Sequence, residues 1–204
     1  MTKNDKTNLL HFIALTGMFI NPVDDKNVIS FIHGYELGTK RKCDFTQLSK
    51  QLLTEKYKIS YSSDGWPGQI TRLAKKLSLS WVVTFKITAL EIIADETHGG
   101  LNKAMILMLK RRIVSLMGRI NPLGDIGFND SWIEEWLSLC SVKNKWFKQL
   151  WNDNEWSIIK SIDKQVHAKN IFSNKKNNIP VLQLIKLKEQ FDSITNGTGD
   201  RVNA

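Results

Sequence analysis

Apolar residues recur at helical spacing along nearly the whole chain, and that rhythm restricts the fold more than any motif does. Trp132, Ile133, Trp136, Leu137 and Cys140 stand at i, i+1, i+4, i+5 and i+8, which is one face of one helix. Trp146, Phe147, Leu150 and Trp151 repeat the stripe, and Trp156, Ile159, Ile162 and Val166 repeat it again. Earlier in the chain Val28, Ile29, Ile32 and Tyr35 keep the same period, as do Ile70, Leu73, Ala74 and Leu77. A strand exposes alternate residues to opposite faces, so it would scatter these groups. The expectation is an all-α protein of about eight helices in two packed helical halves.

Helix punctuation supports this. Asp24-Asp25 can cap a helix that Gly38 ends, and Asp44 with Gln47 has the spacing of a capping box. Pro67 suits a first turn, Ser80 reads as an N-cap, Ser131 with Glu134 as another box, and Asp153 as a further cap. Lys58 to Asp64 reads as a loop, Lys169 to Asn178 as a basic, Asn-rich loop, and Pro180 opens the last helix. Strand competes with helix in one place, Trp81 to Ile93, where Val82, Val83 and Thr84 are β-branched. His98-Gly99-Gly100 is the strongest internal punctuation. It divides the chain into an N-terminal helical half (1–98), a Trp-rich basic half (99–195) and a flexible tail (196–204).

Seven Trp and nine Phe in 204 residues supply the large apolar areas that offset chain entropy. Cys43 and Cys140 lie far apart inside apolar patterns, so they read as buried free thiols of a reducing, cytoplasmic compartment. The apolar run Leu9 to Ile20 follows Lys3 and Lys6 but is broken by His11. It is succeeded by Asn21-Pro22-Val23-Asp24-Asp25 rather than a small-residue cleavage site, which argues against a signal peptide. Leu101 to Met117 is apolar too, yet Lys110, Arg111 and Arg112 interrupt it at a cost of several kcal/mol in a bilayer; no membrane span is expected.

The formal net charge is +9, carried unevenly: residues 1–98 hold 13 Lys and Arg against 10 Asp and Glu, and residues 99–204 hold 16 against 10. An acidic protein, nucleic acid or another anionic surface would complement it. Lys40-Arg41-Lys42, in a loop, and Lys110-Arg111-Arg112, in a helix, are the candidate partner-binding residues; the competing reading of each is a solvated face. Between Thr97 and Gly124 there is no acid at all. No phosphate loop, dinucleotide fingerprint, zinc-protease motif, paired CxxC or nucleophile elbow occurs. The expectation is a non-catalytic protein without cofactor or metal. Asp95, Glu96 and His98 form the tightest group of possible ligands, more simply read as a charged loop.

Three segments of the first half go together: Gly17-Met18-Phe19-Ile20, then Phe31-Ile32-His33-Gly34-Tyr35, then Asp64-Gly65-Trp66. Over roughly residues 12–93 this order resembles a family of small bacterial proteins associated with polymorphic toxins and contact-dependent inhibition. Departures are a missing proline before Gly17, Phe19 in place of a tyrosine, and Asn21-Pro22 in place of a glycine. The resemblance implies an immunity protein, a stoichiometric binder of a cognate toxin domain. A basic chain fits an acidic or membrane-directed toxin better than a basic nuclease. The competing class is a basic nucleic-acid-binding or regulatory protein of a mobile element, for which residues 68–80 (GQITRLAKKLSLS) have a helix-turn-helix cadence.

Overall fold

Helix is the only regular structure among the residues that the computed structural model describes: 1–40, 42–120, 130–140, 142–168 and 181–197. The elements are α1 (Lys3–Ala14), α2 (Asp25–Gly38), α3 (Phe45–Glu55), α4 (Gly65–Leu77), α5 (Trp81–Ala94), α6 (Lys103–Gly118), α7 (Asp130–Leu139), α8 (Lys145–Lys148), α9 (Asp153–Ala168) and α10 (Val181–Gly197). Short 3-10 turns lie at Thr16–Met18 and Glu96–His98. Among the described residues the fold is all-α as expected, with ten helices against about eight expected, α8 being a single turn. The chain divides into two compact units, residues 1–109 and 110–204, with the division inside α6.

In the first unit α5 is the central element, with α1, α3 and α4 packed against it. None of its 14 residues is exposed. That settles the competition between helix and strand at Trp81 to Ile93: the segment is apolar apart from Thr84, Lys86, Thr88 and Glu91, and burial within a helical bundle outweighs β-propensity. Thr84 and Thr88 survive there because their hydroxyls donate to the carbonyls of Ser80 (2.9 Å) and Thr84 (3.0 Å) one turn back. Ser80 caps the helix as expected, accepting from the Val83 amide at 3.3 Å. At the other end the Lys6 ammonium, only 4% exposed, donates to the carbonyls of Ile93 (2.9 Å) and Gly100 (3.2 Å). A cation thus satisfies carbonyls at the negative end of the helix. Burial lowers the pKa of that ammonium, although Asp95 opposes the shift.

Three caps differ from expectation. Asp44 precedes α3 but has a left-handed backbone (φ 52°) and makes no side-chain cap. Glu36 of α2 does the work instead, accepting from the Thr46 amide at 2.7 Å and from its hydroxyl at 2.6 Å. At α9 the cap is Asn152 rather than Asp153. The Glu155 amide donates to Asn152 Oδ1 (2.9 Å) and the Asn152 amide to Glu155 Oε2 (3.0 Å), a reciprocal box one residue earlier. Ser131 already lies within α7, so it cannot be the N-cap of that helix.

In the second unit the apolar stripes supply the core through Trp132, Trp136, Phe147, Leu150, Trp151, Ile159, Ile162 and Val166, while Trp146 and Trp156 are half-buried. Trp136 is fully buried, stacks on Trp132 (centroids 5.3 Å apart) and donates its indole N–H to Asp163 Oδ1 at 3.2 Å. The Trp132 indole N–H donates to the Leu116 carbonyl at 2.9 Å. Phe147 lies among Trp146, Trp151 and Trp156, and Trp151 meets Phe191 of α10 edge-on at 6.1 Å. Each fully buried large side chain contributes roughly 1.5–3 kcal/mol. The expected loop at 169–178 and most of the tail lie outside the described residues, and α10 extends to Gly197.

Candidate functional site

The three segments carrying the family resemblance are built for packing, with one exception. Within Phe31-Ile32-His33-Gly34-Tyr35 on α2, Phe31 stacks on Phe12 of α1 at 3.8 Å and Tyr35 donates its hydroxyl to Asp5 Oδ1 at 3.0 Å. Burial alone would raise the Asp5 pKa, but hydrogen bonds from Thr2 and Tyr35 outweigh it and hold the carboxyl below its usual value. In the Asp64-Gly65-Trp66 segment, Gly65 supplies a positive φ of 65° at the entry to α4. Trp66 fills the space between Phe45, Trp81 and Phe85. Gly68 leaves room for the Asp64 carboxylate, which pairs with Arg72 one turn on; a Cβ at Gly68 would collide with that carboxylate.

The exception is the first segment. Helix α1 ends at Ala14 instead of continuing through the apolar run, and residues 15–23 fold back as a compact loop. Met18 is 78% exposed, Phe19 49% and Val23 42%. The loop is nevertheless held firmly. The amides of Met18, Phe19 and Ile20 donate to the carbonyls of Leu15 (2.8 Å), Thr16 (3.0 Å) and Thr16 (3.1 Å). The Thr16 hydroxyl donates to the Phe12 carbonyl at 2.8 Å. Asn27 Nδ2 donates to the Pro22 carbonyl at 2.9 Å. The Phe19 ring rests edge-on against Phe12 (5.8 Å) and Phe31 (5.9 Å), and Gly17 abuts Val23. Three large apolar groups therefore project from one preordered loop. The apolar run Leu9 to Ile20 masks this in the sequence pattern; the signal is Gly17 followed by Asn21-Pro22, which stops a helix.

The two cationic triplets fare differently. Lys40 and Lys42 are exposed on the turn between α2 and α3, where Lys40 has a φ of 53°; Arg41 lies outside the described residues. In the second triplet Lys110 donates to both oxygens of buried Glu155 (2.8 and 2.7 Å) and lies 5.1 Å from the Trp151 ring centroid. Arg112 pairs with Glu135, which Arg119 also reaches at 2.8 Å. Arg111 alone of that triplet is exposed and without an ion pair among the described residues. The acid-free run along α6 is thus matched by carboxylates from α7 and α9, not left as a free cationic face.

Residues 68–80, which have the helix-turn-helix cadence, cover most of α4 and the turn into α5, and the two helices are bent by 107°. A recognition helix must present side chains to a groove. No residue of α5 is fully exposed, and Trp81, Val82, Lys86, Ile87 and Glu91 are half-buried. No single described helix is long and apolar enough to cross a membrane.

Both thiols are protonated at neutral pH: burial pushes Cys43 up to about 12, and pushes Cys140 well above its ordinary value. Asp95 Oδ1 accepts from the Thr97 amide (2.9 Å) and hydroxyl (2.8 Å), as a turn-capping carboxylate does. Among the described residues no three His, Cys, Asp or Glu side chains gather as a metal site would require. No protein family, curated protein or solved structure matches this chain.

Proposed function

We propose that this chain is a non-catalytic cytoplasmic binding protein that neutralises a bacterial toxin domain by one-to-one association, in the manner of an immunity protein. The observation that carries the reading is the preordered apolar loop at residues 17–23, with Met18 at its tip. Exposed apolar groups on a fixed loop suit protein association, because little side-chain and backbone freedom remains to be lost on binding. The loop also contains one of the segments that carry the family resemblance. Protonated, buried thiols support the non-catalytic reading as far as cysteine chemistry is concerned.

The test is capture of the toxin domain encoded by the adjacent reading frame. Wild-type protein should co-purify with it at moderate salt in one-to-one ratio. Met18→Asp should abolish capture while leaving the circular dichroism spectrum and thermal midpoint unchanged, since Met18 contributes little to the core. Failure of the wild-type protein to capture the domain, or capture undiminished by Met18→Asp, would refute the proposal.

A further inference from the structure

A second surface of the first unit carries positive charge that the fold itself does not neutralise. The loop between α3 and α4, residues 56–64, is pinned from beneath. Tyr57 donates its hydroxyl to Glu91 at 3.0 Å. The buried Ile59 ties back through its amide to the Leu53 carbonyl (2.9 Å), and its own carbonyl accepts from Gln69 (2.9 Å). Lys58, between these two anchors, is forced outward with a φ of 57°. Neighbouring helices add further cations to the same loop. Lys50 of α3 lies 4.2 Å from the Tyr61 ring centroid. Lys76 of α4 reaches the Tyr57 carbonyl at 3.3 Å, Arg72 reaches the Ser60 carbonyl at 3.1 Å, and Lys75 is exposed beside them. Of these five, only Arg72 has a carboxylate partner among the described residues.

Lys58 is the informative member. It follows the end of α3 in the left-handed conformation that glycine adopts most easily and that a lysine adopts with strain. A strained residue that also places an unneutralised charge on the surface is better explained by what it contacts than by what it does for the fold. Tyr61, 51% exposed, and Leu77, exposed at the end of α4, give the same surface apolar contact area. Tyrosine and cations together are the composition of a protein interface. A single-stranded nucleic acid fits less well, because Lys50 already covers one face of the Tyr61 ring on which a base would stack.

We infer that this ridge, Lys50, Lys58, Tyr61, Lys75 and Lys76, docks a carboxylate-rich protein surface. The inference deepens the binding-protein reading by naming the chemistry of the partner's contacting face, and it places the charge contacts away from Lys110 and Arg112. Opposite charges in such a rim speed association and make it salt-dependent.

The probe is a short poly-L-glutamate peptide titrated into isotopically labelled full-length protein and followed by amide chemical shifts, so the toxin domain is not required. The expected result is that shifts concentrate at the ridge residues and weaken steeply with added salt. Lys58→Glu with Lys76→Glu should lower the affinity about tenfold or more. Lys58→Gly should weaken binding yet raise the thermal midpoint, a pairing that a merely structural lysine would not give. Three results would each overturn the inference: no shifts at the ridge, shifts centred on Lys160 and Lys164 of α9, or tighter ridge binding of a single-stranded DNA oligonucleotide of matched charge. If Met18→Asp abolishes toxin capture while the ridge variants change neither its affinity nor its salt dependence, the ridge assignment fails and the binding-protein reading stands.

Discussion

Replacing Lys6 separates the contribution of one buried cation from that of its hydrocarbon stem. The ammonium makes two hydrogen bonds, to the Ile93 and Gly100 carbonyls, and joins α1 to the end of α5 and the turn beyond it. A charged hydrogen bond is worth about 1.5–3 kcal/mol, and a buried carbonyl left without a donor costs about 1–3 kcal/mol. Lys6→Met keeps most of the stem and removes the desolvation of the ammonium, so a net loss of about 1–3 kcal/mol is expected. Lys6→Ala also empties the space of three methylenes, each about 0.8 kcal/mol, which brings the loss to about 3–5 kcal/mol. Urea unfolding of the three proteins at constant m-value measures these differences. The pH dependence is a second reading. The folded ammonium has a lowered pKa, so between that value and its ordinary 10.5 the unfolded chain binds more proton and wild-type stability rises with pH. Cys43 acts oppositely: its thiol is raised to about 12, so stability falls as pH rises above the ordinary 9.0. The quantity to read is therefore wild type minus Lys6→Met, in which the Cys43 contribution cancels. If Lys6→Met is neutral or stabilising, the capping role assigned to Lys6 is wrong; a difference that does not grow with pH would instead refute the burial-lowered pKa of its ammonium.

Gly68→Ala should destabilise the wild-type protein, because the new Cβ displaces the Asp64 carboxylate from Arg72. The same change in an Asp64→Ala background should stabilise by up to about 1 kcal/mol, the ordinary helix preference for alanine, and thermal melts of the four proteins would reveal that change of sign. Lys110→Met should cost about 1–3 kcal/mol by urea unfolding, since it leaves the buried Glu155 carboxylate without its cation, whereas Arg111→Met should change stability by less than about 0.5 kcal/mol. Asp163 has a raised pKa, chiefly from burial, with His167 and the Trp136 hydrogen bond opposing. The folded state then binds more proton there, so stability from this group falls as pH rises from its ordinary 3.8 through the raised value. Asp163→Asn should flatten that part of the pH profile.

Helix identity was legible because it rests on a repeated pattern. The stripe through Trp132, Trp136 and Cys140 allows one face only, and the structure buries it. Segment α5 was ambiguous because its period fades: a helix with no fully exposed residue has little polar face to mark it. The caps at Asp44 and Asp153 were misassigned for a different reason. A short polar residue before an apolar run meets the sequence criterion, but the donor that needs a partner is fixed by tertiary placement, which brings Glu36 to Thr46 and sets Asn152 one residue earlier. Charge was the least legible property. Lys110-Arg111-Arg112 stands out as a run, yet Glu155 and Glu135 come to it from 45 and 23 residues away. Lys50, Lys58 and Lys76 attract no notice in sequence and converge only because the 56–64 loop is drawn down between α3 and α4.

The central claim is that the 17–23 loop is a docking element for a toxin domain, and growth rescue tests it most directly. Cells expressing the toxin domain of the adjacent reading frame would be complemented with wild-type protein, Met18→Asp, or Lys6→Met as a control for stability. The account predicts rescue by wild type, rescue by Lys6→Met at a temperature below its midpoint, and none by Met18→Asp at equal soluble abundance. Growth that wild-type protein fails to restore, or that Met18→Asp restores equally well, would contradict it.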